Sequence, residues 1–84
     1  MSEKLTILSM LHSKSTGRLV DWLRHHGCKT RHDAATRLEP FVGGNLSFGE
    51  DGACTGNYGA LQEGLSMVGK SFKRIEDESR AAGK

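Results

Sequence analysis

The apolar residues near the C-terminus recur at helical spacing, and this pattern constrains the fold more than any other feature of the chain. Five of them follow one another at intervals of 4, 3, 4 and 3 residues: Leu61, Leu65, Val68, Phe72 and Ile75. Such a repeat is typical of a helix that packs along one seam. It predicts a C-terminal helix over residues 61–80, in which Gly64 and Gly69 indicate close approach of another backbone.

Two shorter helices are predicted near the N-terminus. The first spans residues 3–12, where leucines recur at three-residue intervals: Leu5, Leu8 and Leu11. The turn SKSTG interrupts this pattern, and a second helix follows over about residues 17–26. Gly27 is expected to end it, because glycine adopts left-handed backbone angles without steric cost.

A third helix is predicted over about residues 30–42. Thr30 and Asp33 have the spacing of a capping box, with Asp in place of the usual Glu or Gln. Apolar residues fall on one side of this helix: Ala34, Ala35, Leu38, Phe41 and Val42. Pro40 in the third turn removes one hydrogen bond, so it should bend or shorten the helix.

The apolar period changes after the pair Gly43–Gly44. Leu46, Ser47 and Phe48 alternate in polarity as a half-buried strand does. The glycine-rich stretch GEDGACTGNYG then predicts a hairpin turn, with a returning strand over residues 58–61. The order of elements is therefore helix, helix, helix, β-hairpin, helix.

Two segments resemble the winged helix-turn-helix DNA-binding domain family. LEPFVGGNLSF is similar to the passage in which the recognition helix of that family runs into the first wing strand. Leu38 and Phe41 match its apolar positions, and Asn45 matches its glycine. YGALQEGLSMV is similar to the closing turn of the family, with Tyr58 and Gly64 in place. The resemblance implies a mainly α fold with a small β-hairpin (α+β): a three-helix core, a wing and a C-terminal helix.

The resemblance also implies a function. We expect one domain over residues 1–84 that acts as a small sequence-specific transcriptional regulator, for example a repressor, with the third helix in the major groove of double-stranded DNA. The residues expected to contact DNA are Lys29, Thr30, Arg31, His32, Thr36 and Arg37. Arg31 or Arg37 would pair with guanine, and Lys29 with a phosphate. The alternative is an ordinary solvated helix face.

A homodimer is expected, which would make the operator an inverted repeat. The C-terminal seam supplies its predicted interface: Leu65, Val68, Phe72 and Ile75. The same seam has another interpretation, in which its first residues cover the three-helix core and only Phe72 and Ile75 reach a second copy.

A second hypothesis assigns the same fold to protein interaction. Glu50 and Asp51 stand at the wing tip, where the family usually has Arg or Lys, and the formal net charge is only +2. Trp22 falls away from the apolar side of its helix and suits either an exposed anchor or packing under a neighbouring element. A phage- or plasmid-type factor that binds RNA polymerase or another host protein would fit these features.

Several functional classes are disfavoured. No nucleophile elbow or phosphate-binding loop appears, so we expect neither an enzyme nor a cofactor. His25, Cys28, His32 and Cys54 offer a possible zinc set, but the spacing of the first three is not that of a standard zinc finger, and no metal is expected. Cys28 and Cys54 are expected to be free thiols. No apolar run approaches the roughly 20 residues that a membrane helix needs, so the predicted location is the cytoplasm.

Overall fold

Four helices make up most of the chain, and a long glycine-rich loop connects the third to the fourth. The computed structural model describes residues 3–82, so the first two and last two residues of the predicted domain lie outside it. In chain order the helices are α1 (Glu3–His12), α2 (Thr16–His25), α3 (Arg31–Val42) and α4 (Gln62–Ala82). Each lies within two residues of its predicted bounds.

The prediction of a β-hairpin wing is wrong. Residues 3–82 contain no strand, and the only β pairing among them is one isolated antiparallel bridge between Phe48 and Cys54. Residues 58–61, predicted as the returning strand, include a short 3₁₀ turn over Gly59–Leu61 that leads into α4. The fold class is therefore mainly helical, without the small sheet of a winged helix-turn-helix.

The composition of the loop explains why no sheet forms. Glycine offers no side chain for cross-strand packing, and an isolated two-stranded hairpin is marginal in water. Two backbone hydrogen bonds close the loop beside the isolated bridge, and α4 also holds it. The backbone N–H of Cys54 donates to Ser66 Oγ at 3.0 Å, and Gln62 Nε2 donates to the carbonyl oxygen of Cys54 at 3.1 Å. Burial of Leu46 and partial burial of Phe48 add apolar contact with the core.

Helix α4 packs against all three other helices and forms the centre of the core. Its Leu65, Val68 and Phe72 side chains are fully buried, together with apolar side chains of the other helices: Ile7, Leu11, Leu19, Leu23 and Leu38. The seam is thus covered within one chain. Leu65, Val68 and Phe72 have no exposed surface for the predicted dimer contact, whereas Ile75 remains partly exposed.

The two glycines of α4 lie where other backbone segments cross it, as their positions in the seam predict. A Cβ atom on Gly64 would overlap backbone atoms of Leu11 in α1. A Cβ atom on Gly69 would overlap the carbonyl oxygen of Gly52 and the ring of Phe48, both in the loop. Gly52 itself has a φ of 92° and meets the backbone of α4. These contacts let α4 hold both α1 and the loop closely.

We predict that Gly64→Ala and Gly69→Ala each lower the free energy of unfolding by about 1–3 kcal/mol, because the added methyl group overpacks a backbone contact. Gly17→Ala is the matched control, since Gly17 is helical in α2 and has open space around its Cβ position. It should raise the stability by up to about 1 kcal/mol. Urea unfolding measures all three variants, and a Gly69→Ala protein as stable as Gly17→Ala would contradict the packing.

Candidate nucleic-acid interface

Local hydrogen bonds fix the turn that leads from the end of α2 into α3. Gly27, with a φ of 89°, ends α2 as predicted. It does so in a Schellman arrangement, because Cys28 N donates to the Leu23 carbonyl and Gly27 N to the Arg24 carbonyl, each at 3.0 Å. The direction of the chain entering α3 is therefore well defined.

The predicted capping box opens α3. The backbone N–H of Asp33 donates to Thr30 Oγ1 at 3.1 Å, and Asp33 Oδ2 accepts from the N–H groups of Thr30 and Lys29 at 3.3 and 3.0 Å. The hydrogen bond from Lys29 is the main reason that the pKa of Asp33 lies below its ordinary value. Thr30 thus caps the helix with a half-buried side chain and is not displayed for base contacts.

Four of the six predicted DNA contacts are exposed, one just before α3 and three in its first two turns. We call this set the α3 face: Lys29, His32, Thr36 and Arg37. Ala34, Ala35 and Leu38 hold the opposite side of the helix in the core. The face therefore stands on a helix that is anchored from behind.

Arg31, like Thr30, does not belong to the α3 face, because an internal partner binds its guanidinium. Its Nε donates to Glu76 Oε2 at 2.7 Å, and its backbone N–H donates to the same oxygen at 3.0 Å. Its Nη1 donates to the carbonyl oxygens of Gly49 and Glu50 at 2.8 and 2.7 Å. Arg31 joins α3, α4 and the loop, so it is not free to pair with guanine as predicted.

Glu76 is the residue that sequence reasoning missed. It lies 45 positions from Arg31, and no local pattern links a carboxylate on the last helix to the start of α3. The hydrogen bond from the Arg31 side chain is the main cause that lowers the pKa of Glu76. Both side chains are largely shielded, with 24% and 18% of their surface exposed, so this ion pair is screened less than those on the surface.

A groove of about 500 Å³ runs between the α2–α3 turn and α3; we call it the turn groove. His26, His32 and Arg37 line it, and Phe41 forms part of its wall. Trp22 packs behind it, with its ring 4.4 Å from that of His26 and 6.4 Å from that of Phe41 between centroids. The half-buried Trp22 thus supports this groove and packs under its neighbours, in line with the second of its two interpretations.

The opposite side of α3 has a different charge. A groove of about 370 Å³, the loop groove, lies between α3 and the loop. Three carboxylates line it, from Glu39, Glu50 and Glu76, and His32 and Thr36 belong to both grooves. Asp33 balances Arg37 in the turn groove, whereas Arg31 is the one Lys or Arg residue beside the three carboxylates of the loop groove, so the margin of the α3 face toward the loop groove is the more acidic of the two.

The two thiols are free and buried. Burial raises the pKa of both, although the guanidinium of Arg37 opposes this effect at Cys28. Both are therefore mainly protonated at neutral pH, which makes them weak nucleophiles. Within residues 3–82, no three His, Cys, Asp or Glu side chains lie close enough together to hold a metal ion.

No family model matches the chain, and comparison with curated proteins and with solved structures found no significant match. Within residues 3–82, no helix combines the length and the apolar character needed to cross a bilayer.

The Arg31–Glu76 pair predicts a pH-dependent contribution to stability. Because the pKa of Glu76 is lower in the folded than in the unfolded chain, the contribution is present above the ordinary value of about 4.3 and is lost as the pH falls through the folded value. Glu76→Gln should therefore lower the melting temperature at pH 7, with a difference that shrinks toward pH 3.

The control for this prediction is Glu63→Gln, which removes the same charge from the same helix. Glu63 pairs with Lys14 at 3.2 Å, but both side chains are more than half exposed, so the pair should contribute little. Thermal unfolding from pH 3 to pH 7 compares the two variants. Equal and small effects of both substitutions would contradict a structural role for the Arg31–Glu76 pair.

Proposed function

We propose that this protein binds double-stranded DNA through the α3 face and acts as a small, non-enzymatic transcriptional regulator. The observation that carries the proposal is that Lys29, His32, Thr36 and Arg37 are all exposed around one helix whose other side is fixed in the core. A single α-helix fits the major groove, which is about 12 Å wide. The side chains of the face supply the hydrogen-bond donors that phosphates and base edges accept.

The four side chains take different roles in this proposal. Arg37, with no internal ion pair among residues 3–82, is the candidate for a bidentate contact with guanine. Lys29 lies just before the helix and is placed to contact a phosphate. Arg31 changes role: it positions the start of α3 against α4 and the loop, and it does not touch the duplex.

The charge difference between the two grooves beside α3 predicts how the protein is oriented on the duplex. The phosphate backbone is expected on the side of the turn groove, near His26 and Arg37. On the other side, Glu39 and Glu50 would repel phosphates at close range. The loop therefore stays off the duplex, unlike a wing that contacts DNA.

The proposal predicts an enriched motif when duplexes are selected from random DNA at near-physiological salt. On the selected site, Arg37→Ala should cost about 1–3 kcal/mol of binding and relax the preference at one base pair. Lys29→Ala should weaken binding to all DNA sequences alike and reduce the salt dependence of binding by about one counterion. Fluorescence anisotropy over a salt series measures both effects.

Arg80→Ala is the matched control for Arg37→Ala, because it removes the same charge from an exposed position near the end of α4. It should leave the base preference unchanged. Failure to enrich any motif, or equal losses with Arg37→Ala and Arg80→Ala, would contradict recognition by the α3 face.

Docking on another protein is the second candidate function. The observation that favours it is the exposed acidic pair Glu50 and Asp51 at the loop turn, beside the carboxylate-lined loop groove. A basic surface, for example on RNA polymerase, would complement these charges.

A photo-crosslinking amino acid at position 50 separates the two candidates. Protein docking predicts one stoichiometric crosslinked protein that is absent when the crosslinker replaces Lys4, an exposed residue on α1. DNA recognition predicts no such product together with retention of the selected duplex. A crosslinked partner without any DNA binding would replace the first proposal with the second.

A further inference from the structure

The C-terminal part of α4 continues beyond the core. Phe72 is its last buried residue, yet the helix runs on to Ala82. Ile75 lies in this part, partly exposed in a shallow groove of about 250 Å³ between α2 and α4, which we call the α2–α4 groove. Val20 of α2 lies beneath it with 7% of its surface exposed. Ile75, the last residue of the seam, is therefore left partly exposed above a buried Val20.

The rim of the α2–α4 groove carries two acids and two bases: Asp21, Arg24, Arg74 and Glu78. Arg74 and Glu78 form an i,i+4 pair at 3.6 Å with 83% and 71% of their side-chain surfaces exposed, so this pair is weak and easily exchanged. Asp21 and Arg24 make no ion pair with any other part of residues 3–82. All four charges are available to an incoming partner.

We infer that the α2–α4 groove is a contact surface for a second copy of this chain. A two-fold axis pairs a surface patch with itself, so a self-complementary patch needs both signs of charge around its apolar centre. This rim has two of each, and it can place Asp21 against Arg74 and Arg24 against Glu78 across the axis. A partner of one sign would instead face two like charges.

The dimer covers Ile75, which the single chain leaves partly exposed. Two copies of Ile75 come together at the centre, with the charges around them. An 84-residue domain has a small core, so burial of Ile75 also adds to its stability. The proposed dimer interface thus lies near the end of α4 and does not include Leu65, Val68 and Phe72, which the sequence predicts for it.

The inference does not depend on DNA binding, since it concerns self-association of the free protein. Together with the proposed function, a dimer would present two α3 faces and favour an inverted-repeat site. A monomer that binds DNA, or a dimer that does not, would separate the two proposals.

The test uses two charge variants of the full chain. In the acidic variant, Arg24→Glu and Arg74→Glu make the rim wholly negative; in the basic variant, Asp21→Lys and Glu78→Lys make it wholly positive. Light scattering after size exclusion should show a dimer for the wild type at high concentration and a monomer for each variant alone. A 1:1 mixture of the variants should form a heterodimer, which salt weakens.

The control is a Lys4→Glu and Lys70→Glu variant, which has the same net charge as the acidic variant but leaves the rim intact; it should dimerise like the wild type. Circular dichroism checks folding. If the acidic variant does not fold, Arg24→Gln with Arg74→Gln replaces it; if the basic variant does not fold, Asp21→Asn with Glu78→Gln replaces it. A wild type that stays monomeric at all concentrations, a mixture that does not assemble, open-ended oligomers or a monomeric control would each overturn the inference.

Discussion

Burial of the α4 seam is the interaction on which the other features depend. Leu65, Val68 and Phe72 are fully buried among side chains from the other three helices, and each contributes about 1.5–3 kcal/mol when removed from water. Native domains are stable by only about 5–15 kcal/mol, so the loss of one such side chain matters. Gly64 and Gly69 make the seam effective, because they let α1 and the loop approach the backbone of α4.

The position of α3 follows from this packing. Its core side rests on α4, and the Arg31–Glu76 pair ties its first residue to the outer part of the same helix. The guanidinium also binds two loop carbonyls, so one side chain holds three elements together. Arg31, which has the most hydrogen-bond donors at the start of α3, therefore stabilises the fold. The hydrogen-bond donors that remain for a ligand are those of the α3 face.

The sequence predicts features that depend on neighbouring residues well, and contacts between residues far apart in the chain poorly. The helices, the Gly27 terminus and the Thr30 cap depend on neighbours within a few positions, where residue patterns are informative. The prediction of a wing is wrong because a loop can bury Leu46 and partly bury Phe48 without forming regular strands. The role of Arg31 depends on Glu76, 45 positions away, and no spacing rule finds such a partner.

The proposed contact of the α3 face with DNA can be tested by the backbone amide spectrum of the isotope-labelled protein. Addition of a selected duplex should shift the signals of Lys29, His32, Thr36 and Arg37 while those of Glu50 and Asp51 stay in place. The perturbed residues should form one continuous surface along α3 and the turn groove. Shifts concentrated in the loop around residue 50, or no shifts at saturating duplex, would contradict DNA binding through the α3 face.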